Sequence, residues 1–175
     1  MACTTLVLGG VRSGKSRFAV DTHAACARVT FVATAVAGDA DMRDRIEHHR
    51  RDRPPRWLTV EEPCELVPRV REACAASDAV LVDCLGVWVA NLMLRGDADD
   101  QIVKHADELA ALLRLRLTDV TLVSNEVGLG VHPVSEAGRH FRDLLGRVNQ
   151  HIAAAADRVV LMVAGQPLVV KDARA

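Results

Sequence analysis

Short runs of β-branched and other apolar residues recur between stretches of helical periodicity: Thr4–Leu8, Val29–Ala35, Trp57–Glu61, Ala79–Asp83, Val120–Ser124 and Arg158–Ala164. Each reads as a strand. Val80-Leu81-Val82, Thr121-Leu122-Val123 and Val159 to Val163 are apolar on both faces, as parallel strands covered by helices on each side must be. The alternation predicts a doubly wound α/β fold with a mostly parallel, helix-covered sheet. Gln166–Lys171, with Pro167, fits an antiparallel edge strand returning as a hairpin. Asp39 reads as the N-cap of a helix reaching Asp52 and ended by Pro54-Pro55. Leu85 to Leu94, with Trp88, reads as a buried helix. Farther on, Phe141, Leu144, Leu145, Val148 and Ile152 form a core-facing helical stripe, while Arg139, Asp143 and Arg147 are spaced for an ion-pair ladder. Gly146 in mid-helix costs about 1 kcal/mol relative to Ala, which predicts close approach by another backbone, from this subunit or a second one.

Composition narrows the class. The 175 residues fit a single domain, residues 1–175, with 50% hydrophobic, 26% charged and 3% aromatic content. With 22 Lys and Arg against 23 Asp and Glu, the net charge of −1 offers no global positive field for nucleic acid. Five cysteines without a C-x-x-C pair fit neither a zinc cluster nor a disulfide framework, and read as reduced thiols in a cytoplasm. The amino terminus enters its first strand without a basic leader. The longest apolar run, Ala79 to Leu94, is broken by Asp83 and Asn91, which excludes a membrane span there. No internal repeat or linker divides the chain.

The first strand leads into Gly9-Gly10-Val11-Arg12-Ser13-Gly14-Lys15-Ser16, a complete G-x-x-x-x-G-K-[ST], and helical periodicity follows from Arg17. Such a loop turns its N–H groups inward around phosphate oxygens at a helix N-terminus, where the dipole favours anions. Lys15 is placed to reach the β- and γ-phosphates and Ser16 to hold Mg²⁺. A second metal-holding acid is expected at the end of an apolar strand, and Asp83 occupies that position. No N-K-x-D base-reading motif occurs, so the base is not fixed by motif.

Positive charge concentrates in residues 43–56, where Arg43, Arg45, Arg50, Arg51, Arg53 and Arg56 accompany His48 and His49. Helical spacing puts His49 on the apolar side with Met42 and Ile46 and leaves His48 on the polar side. Neighbouring guanidinium groups disfavour imidazolium and attract polyphosphate, which suits a nucleophilic or phosphate-contacting His48. A solvated Arg-rich helix explains the same pattern without chemistry. Adjacent histidines diverge on a helix and do not suit one metal ion. Asn125-Glu126-Val127-Gly128 forms a polar, Gly-containing turn after a strand, either lining an acceptor site or only satisfying loop geometry.

Taken in order, the P-loop, Ala33-Thr34-Ala35, Arg45-Ile46-Glu47-His48-His49-Arg50, Arg53-Pro54, Thr59-Val60-Glu61-Glu62-Pro63, Asp83-Cys84-Leu85, Asn91-Leu92, Asn125-Glu126-Val127-Gly128, Phe141-Arg142-Asp143 and Ala164-Gly165 resemble the bifunctional adenosylcobinamide kinase and adenosylcobinamide-phosphate guanylyltransferase family of cobalamin biosynthesis. The resemblance implies a recombinase-type P-loop core, GTP (ATP or GTP for the kinase step) with Mg²⁺, a corrinoid substrate and a homotrimer. It matches His48 to the guanylylated histidine. It also matches Gly9 to Ser16, Thr34, Ala35, Val36, Arg50, Arg51, Asp52, Arg53, Glu61 and Asp83 to nucleotide-binding positions. Val11, Val20, Phe31 and Gly86 depart from the family pattern, Gly86 standing where Thr is common. A monofunctional P-loop kinase of a small alcohol, and a nucleotide-binding module using residues 43–56 on nucleic acid, are the competing readings; the near-zero net charge disfavours the second.

Overall fold

The structure, a computed structural model, describes residues 2–35 and 53–173. The expected Asp39–Asp52 helix and its histidine pair lie outside the described residues. The elements run β1 (Thr4–Gly9), α1 (Lys15–Thr22), β2 (Val29–Ala33), β3 (Leu58–Glu61), α2 (Leu66–Ala76), β4 (Ala79–Asp83), α3 (Leu85–Arg95), α4 (Asp99–Arg114), β5 (Asp119–Val123), α5 (Glu136–Ala155), β6 (Arg158–Val163) and β7 (Gln166–Asp172). The strands form one sheet in the order β3-β2-β4-β5-β1-β6-β7. All neighbours are parallel except β6 and β7, which form the expected antiparallel edge.

Strand alternation sorts the apolar residues onto two faces. Leu6, Val32, Val80, Val82, Val120 and Leu122 point into the larger cluster, where they meet Leu66 and Val70 of α2, Trp88 and Leu92 of α3, Ile102 and Leu109 of α4, and Leu145 and Val148 of α5. Val29, Phe31, Ala79, Leu81 and Val123 face the other way, onto Ala19 and Val20 of α1 and onto Trp57. The sheet is therefore covered on both sides, as its two-sided apolar strands predict. Trp88 is fully buried, and its indole N–H is satisfied by the Cys64 carbonyl at 2.8 Å.

Helix ends follow local chemistry. Ser135 caps α5 by accepting from Gly138 N at 3.1 Å. Gly96, at φ 94°, closes α3 with its N–H on Met93 O, and Asp97 N bonds to Leu92 O. The Glu62 carboxylate accepts from Cys64 N and Glu65 N ahead of α2.

Two expectations are corrected. Arg139, Asp143 and Arg147 do not form a ladder: Arg139 donates to Pro133 O and Val134 O in the loop before α5, and Asp143 pairs with its neighbour Arg142 at 2.9 Å. The loop carbonyls at the start of the helix offer Arg139 two fixed acceptors, which an exposed carboxylate does not match. Within this subunit Gly146 meets no other backbone among the described residues, since a Cβ there would meet nothing within 4 Å, which removes that half of the expectation. Leu145 and Val148 on the adjoining face make the core contact instead.

Candidate active site

The parallel register brings the ends of five strands to one rim. Glu61, Ala33, Asp83, Val123 and Val7 stand in a single row across β3, β2, β4, β5 and β1. From this row the chain leaves β1 into the P-loop, β2 into Thr34 and β5 into Ser124 and Asn125. Ligands of parallel α/β sheets bind outside the carboxyl ends of the strands, so topology alone assembles residues far apart in sequence.

The loop from Gly9 to Ser16 has the bends a phosphate cradle needs. Gly9 has φ 152°, Arg12 φ 55° and Gly14 φ 94°. A Cβ on Gly9 would lie 2.6 Å from Ser13 Oγ and 2.7 Å from Met162 O, so only glycine fits. Helix α1 starts at Lys15, two residues before the periodicity suggested, with Gly14 as its N-cap. Lys15 is buried, and its Nζ donates to Gly10 O at 2.6 Å. The ammonium thus already sits over the loop. Burial pushes the Lys15 pKa down, and the Asp83 carboxylate opposes that shift. Ser13 Oγ is buried without a hydrogen-bond partner inside the same loop, an orphaned donor that a phosphate oxygen would satisfy. Val11 and Arg12 are exposed at the tip.

Ser16 is the second residue of α1 and Asp83 ends β4, both partly exposed on the rim. A hydroxyl and a carboxylate are the hard oxygen donors that suit Mg²⁺. Among the described residues no group of three or more His, Cys, Asp or Glu side chains is placed to hold a metal by itself. The donor set therefore fits an ion that arrives with, and is completed by, nucleotide phosphates.

Three polar clusters brace this rim. Thr34, fully buried, donates its hydroxyl to Cys84 O at 2.8 Å and accepts there from Cys84 N at 2.8 Å, while Thr34 N donates to Asp83 O at 3.1 Å. Strand β2 ends at Ala33, before the expected Ala35, because the Thr34 side chain replaces the ladder here. Asn91 on α3 donates its amide to Thr34 O at 2.8 Å and to Pro63 O at 3.1 Å. Asn149 on α5 accepts from Ser124 Oγ at 2.6 Å and donates to Asn125 O at 3.1 Å, which fixes the turn after β5. Glu126 N then bonds to Gly9 O at 3.0 Å, tying that turn to the P-loop. Sequence reasoning gave Asn91 and Asn149 no role; the available signal was an amide within an otherwise apolar helical stripe.

Cys84 stands at the N-cap of α3 and donates to Asn125 Oδ1 at 3.7 Å. Burial first, and then Asp83, push its pKa up to about 12, so it remains a neutral thiol. Gly86 admits this contact, because a Cβ there would lie 3.0 Å from Asn125 Oδ1. Arg53 lays its guanidinium over the Phe31 ring, 3.3 Å from the centroid. Glu61 is exposed at the end of β3 and Ala35 is partly exposed beyond β2. Among the expected site residues, His48, Val36, Arg50, Arg51 and Asp52 lie outside the described residues.

Similarity to known proteins bears on this geometry. The KaiC-like protein PH0186 from Pyrococcus horikoshii OT3 superposes with a TM-score of 0.57 at 14% identity, covering 98% of this chain and 80% of that one; at such identity the likeness is one of fold. The bifunctional adenosylcobalamin biosynthesis protein CobP of Pseudomonas aeruginosa is 42% identical over 167 residues, 95% of this chain and 96% of that protein. The bifunctional adenosylcobalamin biosynthesis protein CobU of Escherichia coli is 40% identical over 178 residues, 95% of this chain and 98% of that protein. Residues 5–170, which include the whole P-loop, Asp83 and all three bracing clusters, match the model of one family, and the chain belongs to that family, the cobinamide kinase / cobinamide phosphate guanyltransferases.

Proposed function

We propose that this chain phosphorylates the aminopropanol hydroxyl of adenosylcobinamide with ATP or GTP, and then transfers GMP from GTP to that phosphate, with His48 as the guanylyl carrier. The observation that carries the reading is the joining, in a member of this family, of a formed P-loop with a buried Lys15 to a rim carboxylate at Asp83.

Loop N–H groups, Lys15 and the Ser13 hydroxyl bind and orient the triphosphate. Ser16 and Asp83 hold Mg²⁺, which when bound neutralises phosphate charge. In the kinase step the substrate oxygen forms a bond to the γ-phosphorus, the bond to the β,γ-bridging oxygen breaks, and the hydroxyl proton is released. In the transferase step a neutral His48 nitrogen bonds to the α-phosphorus of GTP and pyrophosphate leaves. A phosphate oxygen of adenosylcobinamide phosphate then displaces the imidazole, giving adenosylcobinamide-GDP. Division into two displacements replaces one difficult step by two easier ones. Ala35, Val36, Arg50 to Arg53 and Glu61 complete the nucleotide site in this reading, with the buried Thr34 serving it from behind through Asp83, and the enzyme works in the cytoplasm as a homotrimer.

Incubation with Mg²⁺ and α-labelled GTP, followed by a denaturing gel, tests the carrier. Wild type and His49→Ala are expected to take up an acid-labile, alkali-stable label that His48→Ala lacks. A folded wild type that binds GTP yet takes up no label removes the covalent route and leaves a monofunctional P-loop kinase.

A further inference from the structure

We propose that Thr34, held in turn by Asn91, is the positioning residue for the metal-binding carboxylate of Asp83. The proposal deepens the functional reading above, in which Asp83 holds Mg²⁺. Asp83 is the last residue of β4, and its register partner Ala33 is the last residue of β2. Beyond that pair one backbone bond remains, and past it the strand ends would be free to splay. Thr34 makes that bond and extends the pairing with its side chain. Its N–H takes Asp83 O at 3.1 Å, and its hydroxyl both accepts from Cys84 N and donates to Cys84 O, each at 2.8 Å. One buried side chain thereby fixes both polar groups of the residue that follows the carboxylate, and with them the direction in which the Asp83 side chain leaves the strand.

Thr34 needs its own anchor, because it lies past the end of β2. Asn91 supplies it from α3 by donating to Thr34 O at 2.8 Å and, with the same amide, to Pro63 O at 3.1 Å. Helix α3 begins two residues after Asp83 and is packed through the fully buried Trp88 and Leu92, so the chain of bonds ends in rigid core. Asp83 stands in the strand-end row that also carries Val7, two residues before the P-loop begins at Gly9, so the carboxylate shares the rim of the phosphate cradle. Groups that orient a metal ligand change metal affinity by about 10- to 100-fold when removed.

The test is the Mg²⁺ dependence of binding of a fluorescent GTP analogue, without turnover, to wild type, Thr34→Val, Thr34→Ser and Asn91→Leu, with binding in EDTA as the metal-free reference. Thr34→Val keeps the shape and lacks the hydroxyl. It is expected to match wild type in EDTA and to need about tenfold more Mg²⁺ for half-maximal enhancement. Thr34→Ser restores the wild-type requirement. Asn91→Leu shifts the requirement in the same direction and serves should Thr34→Val not fold. An unchanged Mg²⁺ requirement in Thr34→Val and Asn91→Leu overturns the proposal. So does an equal loss of affinity in EDTA, which would make Thr34 a direct nucleotide contact, or a failure of Thr34→Ser to rescue. A wild type that binds no nucleotide overturns the functional reading itself. A wild type whose response to Mg²⁺ equals that of Asp83→Asn removes the metal role of Asp83 and this proposal with it.

Discussion

Burial lowers the proton affinity of the Lys15 amine, and the Asp83 carboxylate opposes that shift. The sign of a pH effect follows. Phosphate binding uses the ammonium form, so affinity falls as pH rises through the Lys15 pKa. Asp83→Asn removes the opposing charge, lowers that pKa further, and brings the alkaline loss of affinity to a lower pH. Titrating a fluorescent nucleotide in EDTA from pH 7 upward, for wild type and Asp83→Asn, reads this directly; coincident curves would show that Asp83 exerts no field on Lys15. Lys15→Met, which lacks the charge at every pH, is expected to bind roughly ten- to a hundredfold more weakly near neutrality. His23 gives a contrasting case of a buried titratable group. It is buried at the C-cap of α1 with Nε2 2.8 Å from Thr121 Oγ1, and desolvation lowers its pKa against the opposing effect of Asp119. It is a neutral packing residue on the side of the sheet covered by α1, and nothing in its sequence neighbourhood announces that.

The β6–β7 hairpin acts as a support for the P-loop. Its turn, at Ala164 with φ 49° and Gly165 with φ 79°, presents Gly165 N to Ser13 O at 3.1 Å, and Met162 O closes against Gly9. Gly9→Ala would force a Cβ into Ser13 Oγ and Met162 O at a positive φ, so it is expected to lower the melting temperature by roughly 4–10 °C and to abolish nucleotide binding. Gly10→Ala meets nothing within 4 Å and has ordinary φ, so its melting temperature stays within about 1 °C of wild type. A thermal melt of the two variants checks the pair, and equal losses would mean that the loop tolerates no side chain anywhere. The edge strand itself was legible from Gln166–Lys171, because Pro167 suits an edge. Other strands were legible from β-branched runs, with ends that moved by one or two residues; at β2 the Thr34 side chain took over from the ladder. The ladder at Arg139 was misread because helical spacing records which side chains share a face, whereas loop carbonyls, invisible in spacing, supplied the partner.

Across the whole molecule the two ends of the parallel sheet have different chemistry. The carboxyl rim carries the P-loop, Thr34, Asp83 and Asn125. The amino rim carries three aspartates, each of which accepts a backbone N–H from a neighbouring strand's entry: Asp78 from Arg28 N at 3.1 Å, Asp119 from Cys3 N at 2.8 Å and Asp157 from Thr4 N at 2.9 Å. The motif at the carboxyl rim was legible because phosphate binding constrains local sequence. The amino rim was not, because each aspartate answers a residue 50 or more positions away and leaves no local spacing. Asp157 is buried and also takes the Arg116 guanidinium, which joins the segment after α4 to β1 and β6. Asp78 is exposed and paired with the mostly exposed Arg28, where solvent screening leaves an ion pair little effect on stability. Asp157→Ala therefore leaves a buried N–H and a guanidinium unanswered and is expected to cost about 2–4 kcal/mol, a fall of roughly 5–12 °C in melting temperature. Asp157→Asn, which retains an acceptor, loses less, and Asp78→Ala loses least. Nucleotide affinity at 25 °C remains within about twofold of wild type in all three, because the amino rim lies a full strand length from the P-loop. Calorimetric melts paired with nucleotide titrations test both halves, and a variant with weakened binding but an unshifted melt would break the division between a stabilising rim and a functional one.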